Sequence, residues 1–388
     1  MPCASTTLPF PSILRTARPA LATFAAMGVL WGSFAAVLPD TKTMLGVDEA
    51  TLGLLMLAAP VAAVAAMLLA PGVGTALGRL ALPLATLAMA LAFAVPGQAG
   101  ALWIFALALA GCGATTGMLD VLMNARVANL ENDRGTHLMN LCHAAYSLGY
   151  AGGAIATGLA RGAGWSPAAV LGSAALIAAG LALLAVERDG RIVGLKRRKG
   201  ISVTGLGPVP LIGGAVVLIA FLSENSVENW SALHIEKTLG GTATEGSMGP
   251  AVLALTMGVA RLAGQGLLTR IGTRRLLTGG AVLAAFGALI AAAATGPAMA
   301  YGGFIIMGLG SSVIAPTAFS LVGQMAEPQA RARAVARATL LGYFGYFFGP
   351  PTLGFIAGAF GLRAAFGFAA CTLLVVLALA PILTRARG

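Results

Sequence analysis

Long apolar stretches separated by short polar ones run along the whole chain. Twelve of these stretches are long enough to cross the roughly 30 Å hydrocarbon core of a bilayer as α-helices. They are expected at residues 19–39, 50–71, 79–96, 100–125, 138–160, 167–186, 208–233, 248–269, 273–294, 298–324, 335–360 and 361–383. The pattern therefore predicts an all-α membrane protein with twelve transmembrane helices.

The composition indicates that lipid is part of the solvent for this chain. Of its 388 residues, 58% are hydrophobic and only 10% are charged, and the mean hydropathy is +0.89. A soluble domain carries about a quarter charged residues, so this composition excludes that class. The net charge of +11 is spread over short loops, which fits membrane topology better than nucleic-acid binding.

The basic residues predict how the helices are oriented. If the N-terminus lies inside, 19 of the 24 lysine and arginine residues fall in inside loops or termini. Four fall outside, namely Lys42, Arg161, Lys237 and Arg363, and Arg261 lies within the eighth helix. Because cationic loops stay on the cytoplasmic side, we expect both termini in the cytoplasm, in a bacterial-type inner membrane.

A basic strip divides the chain into two similar parts. Residues Glu187 to Gly200 read ERDGRIVGLKRRKG, the densest run of charge in the sequence. We therefore predict an N-terminal six-helix half at 1–186, a basic cytoplasmic linker at 187–207 and a C-terminal six-helix half at 208–388. Short glycine motifs recur in the same order in both halves, and duplicated halves of this kind place a substrate site near the bilayer midplane between them.

This plan resembles the major facilitator superfamily, and the resemblance covers essentially the whole chain. It is carried by the two sets of six helices, the basic linker, and the glycine–arginine loops at Gly78-Arg79 and Gly272–Arg275. The segments Gly117–Asn124 and Glu224–Ser231 look closer to the fucose:proton symporter-like group and its uncharacterised bacterial relatives. The resemblance implies a monomeric transporter with two pseudo-symmetric six-helix bundles that works by alternating access.

The motifs of enzymes and ATP-driven pumps are absent from the sequence. None of the four lysines follows a glycine, so there is no phosphate-binding Gly-Lys loop. The cysteines, at positions 3, 112, 142 and 371, are too widely spaced for a metal or redox motif. We therefore predict no enzyme activity, no cofactor and no bound metal, with the energy for transport supplied by an ion or substrate gradient.

Charged residues inside membrane-spanning helices are costly, so they are functional candidates by default. Glu224 lies about 21 Å into the seventh helix at 1.5 Å per residue. A carboxyl group at that depth must be paired, protonated or solvated by a cavity. Glu224 is therefore predicted to couple transport to protons, with a fixed ion pair as the alternative. His143 is the second candidate because histidine titrates near physiological pH.

Two further groups of polar residues are candidates for a gate and a cavity. Asp120, near the inner boundary of the fourth helix, is predicted to close the cytoplasmic side by pairing with Arg261 or Arg337. The alternative for Asp120 is an interfacial group that caps helix ends. The candidate cavity residues are polar or aromatic: Trp31, Asn124, Asn140, Tyr146, Asn225 and Tyr343.

The function predicted from these features is proton-coupled symport of a small organic solute, with no nucleic-acid partner. Proton-coupled efflux antiport is the alternative. The drug antiporters of the superfamily carry a Gly-Pro motif in the fifth helix, whereas here Gly349-Pro350 lies in the eleventh. A membrane receptor that transports nothing is a hypothesis from a different class.

Overall fold

The computed structural model describes residues 10–134, 138–193, 195, 207–268, 271–326 and 331–385. Every regular element in these ranges is helical. The α-helices are α1 (Phe10–Leu45), α2 (Glu49–Met56), α3 (Ala58–Leu77), α4 (Ala81–Phe93), α5 (Leu102–Arg134), α6 (Met139–Gly162), α7 (Pro167–Leu184), α8 (Val209–Leu233), α9 (Ala243–Leu268), α10 (Thr273–Ala293), α11 (Pro297–Met325), α12 (Arg331–Phe360) and α13 (Leu362–Arg385). The basic run at 196–199 lies outside the described residues.

The predicted all-α membrane fold is confirmed, and the helices are consistent with twelve spans. The stretch predicted at 50–71 is broken at Leu57 into α2 and α3, because Pro60 lacks an N–H group and its ring crowds the preceding turn. Within the described ranges, nine stretches are long and apolar enough to cross a membrane, and the stretch Glu49–Gln98 includes both α3 and α4. Helices α6 and α12 are not among the nine, since glycine, tyrosine and basic residues dilute their apolar character.

Packing divides the chain into two compact units, and the division into two halves joined by a linker stays a prediction. Unit 1 comprises Met1–Phe34, Ala58–Gly153 and Ser166–Arg198. Unit 2 comprises Ala35–Leu57, Ala154–Trp165 and Lys199–Gly388. Helices α1 and α6 each contribute to both units, and their ends predicted to face outward belong to unit 2.

In unit 1, glycines bring α1 and α6 into backbone contact. A Cβ atom added to Gly28 or Gly32 would collide with the backbone of Tyr146 or Tyr150 on α6. In return, Gly149 of α6 lies against Ala25 of α1, and Gly153 lies against Val29. Paired glycines four residues apart thus form a smooth contact on each helix, as small residues do in membrane helix pairs.

The equivalent pair in unit 2 uses the same device. Gly345 of α12 lies against the backbone of Leu218 on α8. Helix α8 does not end as an ordinary α-helix. Residues His234–Thr238 form one turn of π-helix, an irregularity that is frequent at functional sites.

The start of the predicted linker is docked on unit 1. Both Nε and Nη2 of Arg126 donate hydrogen bonds to the carboxylate of Glu187, at 3.0 and 2.9 Å. The side-chain amide of Asn129 makes two hydrogen bonds with the backbone of Val193, at 3.2 and 2.7 Å. Residues of α5 therefore hold the first part of the linker in place.

Candidate proton-coupling and gating sites

Helix α8 changes character along its length. Its first half is apolar, whereas residues 223–231 read SENSVENWS. Such a polar run would suit a surface loop, yet Ser223, Glu224, Asn225, Asn229 and Ser231 are all buried. Apolar flanks keep these side chains inside unit 2, where each polar group needs a partner.

Two acids and one base meet on α8 and the neighbouring helix α9. The carboxylate of Glu224 lies 3.9 Å from Nη2 of Arg261, which is an ion pair too long to be a hydrogen bond. Glu228, one turn further along α8, is close enough to interact electrostatically with both. With two carboxylates and one guanidinium, the cluster can accept one additional positive charge, such as a proton.

Several buried polar atoms of unit 2 find no hydrogen-bond partner among the described residues. They are Ser223 Oγ, Glu224 Oε1, Asn225 Oδ1, Trp230 Nε1, Ser231 Oγ, His234 Nδ1, Arg261 Nε and Ser311 Oγ. Folded proteins leave few buried polar groups unsatisfied, and a concentration of them on one helix requires an explanation. Water or a polar solute would satisfy them, and both are expected in a transport pathway.

A second charged cluster lies elsewhere in unit 2. The side chain of Arg161, at the end of α6, is fully buried, with 0% of it exposed. Its Nε and Nη2 donate to the carboxylate of Asp40 at 2.7 and 2.6 Å. Its Nη1 and Nη2 donate to the carboxylate of Glu236 at 2.8 and 3.0 Å. Arg161 is therefore held in bidentate geometry by two acids at once, the strongest arrangement open to a guanidinium.

A complementary triad has the opposite charge balance. Glu49 Oε1 lies 3.3 Å from Nζ of Lys42 and accepts a hydrogen bond at 3.0 Å from Nζ of Lys237. Together with Asp40, Arg161 and Glu236, these residues form what we call the outer cluster, because the charge pattern predicts that this end faces outward. Its three cations and three anions sum to zero net charge.

Of the predicted inner-gate residues, Asp120 lies on α5 in unit 1, whereas Arg261 and Arg337 lie in unit 2. The amide of Asn124 donates to Asp120 Oδ1 at 3.0 Å, so these two residues form a local pair on α5. Arg337 of α12 is exposed. The pairing of Asp120 with Arg261 or Arg337 stays a prediction.

Other predicted site residues have defined surroundings. Trp31 Nε1 donates to Thr116 Oγ1 at 3.2 Å. The ring of His143, which is exposed, meets Phe24 edge to face at 5.1 Å between centroids. The remaining candidates are placed as follows: Asn140 is exposed, Tyr146 packs against Tyr150, Asn225 is buried against Gly349, and Tyr343 contacts Phe221 and Tyr346.

The sequence interpretation missed the outer cluster. Lys42, Arg161 and Lys237 were counted as outside loop cations, whereas all three lie in helical turns. At a helix end a buried cation and a solvated one have the same sequence context. A usable signal exists for the two lysines, which have an acid close by in the sequence, Asp40 for Lys42 and Glu236 for Lys237, whereas Arg161 has none.

Comparisons with known proteins give consistent results. The profile of the Major Facilitator Superfamily matches residues 213–387. An uncharacterized MFS-type transporter of Yersinia pestis is 31% identical over 97% of this chain and 97% of its own. The membrane protein MosC of Rhizobium meliloti is 26% identical, covering 88% of this chain and 83% of its own.

Solved structures with the same fold include two transporters. One is a bacterial homolog of the human lysosomal transporter Spinster, in an inward-facing and occupied conformation, with a TM-score of 0.75, 15% identity and 98% of each chain covered. The other is a D-xylose–proton symporter, with a TM-score of 0.74, 14% identity and coverage of 96% of this chain and 97% of its own. At these identities the likeness concerns the fold.

Proposed function

Because this chain belongs to the major facilitator superfamily and is a membrane transporter rather than an enzyme, we propose that it is a proton-coupled symporter of a small organic solute. Glu224 is the proposed proton carrier. The observation that supports it is the long Glu224–Arg261 ion pair of 3.9 Å, set among buried polar atoms that lack partners. The positive charge of Arg261 balances the negative charge of one of the two carboxylates, Glu224 and Glu228, and a bound proton neutralises the other.

Glu228 and His143 are the other groups that bear on proton transfer. Glu228 lies one turn from Glu224 and interacts with it electrostatically, so the charge of Glu228 influences the protonation of Glu224. His143 is the alternative proton carrier if Glu224 and Glu228 do not carry the proton. The proposed contacts of the solute are Trp31, Asn124, Asn140, Tyr146, Asn225 and Tyr343.

Asp120 is the proposed inner gate, paired with Arg261 or Arg337 when the cytoplasmic side is closed. Removing its charge weakens only the closed state, so Asp120→Asn should shift the population towards molecules open at that side. Spin labels at the exposed positions Val193 and Arg275 would report a longer distance. An unchanged distance distribution would leave Asp120 as an interfacial group that caps helix ends.

The test of function begins with the solute. A thermal-shift screen of purified protein identifies a ligand, and proteoliposomes then measure uptake of that ligand under an imposed pH gradient. We expect Glu224→Gln to abolish accumulation against a gradient while exchange at equal concentrations persists, because a glutamine cannot release a proton. Glu245→Gln is the control, since Glu245 at the start of α9 accepts hydrogen bonds from Thr242, and glutamine retains that role.

The outcomes separate the candidate functions. Uptake accompanied by proton entry supports symport, whereas protons moving opposite to the solute would assign antiport. Ligand binding without any transport would assign a receptor. If the Glu224→Gln protein still concentrates the solute, the proton is carried elsewhere, and His143→Gln is the next variant.

A further inference from the structure

The outer cluster joins parts of the chain that must separate during alternating access. Asp40, Lys42, Glu49 and Arg161 belong to the predicted N-terminal half, whereas Glu236 and Lys237 belong to the C-terminal half. Within unit 2 these residues are packed together. A transporter that exposes its site to the outside has to break the contacts between these two sets.

The contacts of the outer cluster fall into two kinds. Arg161–Asp40 and Lys42–Glu49 join residues of the same half. Arg161–Glu236 and Glu49–Lys237 join residues of opposite halves. Arg161 and Glu49 therefore each have one charged partner in the same half and one in the opposite half.

Charge compensation makes this arrangement reversible. When a buried arginine loses its only charged partner, the folded protein is strongly destabilised, because an uncompensated charge remains in a poorly solvated position. When the halves separate, Arg161 retains Asp40 and Glu49 retains Lys42. The N-terminal set sums to zero charge, and so does the pair Glu236–Lys237.

Resting on the alternating access of the proposed function, we propose that the outer cluster is a reversible latch of the outer gate. Arg161–Glu236 is its main bond, because the arginine side chain is fully buried. Glu49–Lys237 is the weaker bond, since 51% of the lysine side chain is exposed and exposed ion pairs contribute little. Asp40 and Lys42 keep Arg161 and Glu49 paired while the latch is open.

The latch predicts that substitutions of Glu236 and Asp40, the two acids bound to Arg161, shift the equilibrium between open and closed states in opposite directions. Glu236→Gln removes the bond that exists only in the closed state, so it favours opening. Asp40→Asn leaves that bond in place and removes the only carboxylate that stays with Arg161 after opening, so it favours closure. A purely structural role would give both substitutions the same sign.

A thiol probe measures the open population without any solute. Thr244 Oγ1 donates to the carbonyl of Gly158 at 3.0 Å, which places position 244 under the outer end of α6. Thr244→Cys is introduced into the full chain with Cys3→Ser and Cys371→Ser, and the purified protein in detergent is reacted with a bulky maleimide. The alkylation rate follows the fraction of open molecules and can be measured over several decades.

We expect Glu236→Gln to raise the alkylation rate about tenfold and Asp40→Asn to lower it about tenfold. Lys237→Gln and Lys42→Gln repeat the comparison with smaller shifts of the same two signs, in case either acid variant fails to fold. Asp48→Asn is the control, because it removes an acid at the same end while asparagine still caps α2, and its rate should be unchanged.

Equal signs for Glu236→Gln and Asp40→Asn, or no change in either, would overturn the latch. Such a result would leave the proton proposal standing, because the probe needs neither solute nor proton gradient. Conversely, the opposite signs can be observed even if Glu224→Gln proves harmless to accumulation.

Discussion

A buried arginine side chain can be held in place by using most of its hydrogen-bond donors. Arg126 is an example outside the transport site: it holds Glu187 with two side-chain hydrogen bonds and donates a third, at 3.1 Å, to the carbonyl of Asp189. Its side chain is only 9% exposed. A cation in that position depends on its carboxylate, because little water reaches it.

Removing that carboxylate should therefore destabilise the protein. We expect Glu187→Ala to lower the free energy of unfolding by about 1.5–3 kcal/mol, the range for hydrogen bonds to charged groups. The measurement is equilibrium denaturation in mixed detergent micelles. Asp189→Ala is the matched control, since Asp189 contributes its backbone carbonyl, and equal losses for the two variants would contradict this account.

Candidate residues emerge from the sequence where a charge interrupts a mostly apolar stretch, as at Glu224 and Arg261. The structure places these two within 3.9 Å of each other, whereas the sequence pattern paired Arg261 with Asp120. Their roles in coupling and gating stay predictions. Arg161 did not stand out, because it lies at the end of a helix where cations are common. Its burial depends on Asp40 and Glu236, which are distant in the sequence.

At the scale of helices, glycine decides which faces approach closely. Gly153 on α6 lies against the backbone of Val29 on α1, whereas a methyl group added to its neighbour Gly152 would meet no described atom within 4 Å. The two glycines look equivalent in sequence. The spacing of four residues from Gly149 selects Gly153, so this contact was predictable from the pattern alone.

The pair of glycines provides a controlled test of helix packing. We expect Gly153→Ala to cost about 1–3 kcal/mol of stability through overpacking and Gly152→Ala to have no such effect. Thermal unfolding of the purified protein in detergent would show a lower Tm for Gly153→Ala only. Equal Tm values for both variants would mean that α1 and α6 adjust their spacing at no cost.

The sequence did not predict the irregularities of these helices. The sequence of the π-helical turn His234–Thr238 continues the mixture of apolar and polar residues at the end of α8, so no residue pattern marks the change of helix type. The break at Leu57 was marked by Pro60, but proline is also tolerated inside membrane helices, as at Pro71 of α3. Local sequence therefore gives the existence of a helix more securely than its internal geometry.

At the scale of the whole molecule, cation placement predicts orientation. Cationic loops stay on the cytoplasmic side, and the 19 cations at predicted inside positions, against four outside, indicate a single orientation of the helices. We expect a single cysteine replacing Arg197 to be labelled by an impermeant reagent in inverted membrane vesicles and not in intact cells. Labelling from outside intact cells would reverse the orientation of every helix.

Helix α8 carries the acidic pair, and the π-helical turn that follows it carries Glu236 and Lys237 of the proposed latch. Glu224 and Glu236 are twelve residues apart, or about 18 Å at the rise of an α-helix. A continuous helix transmits tilt or rotation from one end to the other, so we expect the proposed proton site and the proposed outer gate to move in step. A kink introduced between them would let each end move alone. The expected result is slippage, in which protons leak down their gradient while the cargo stays behind.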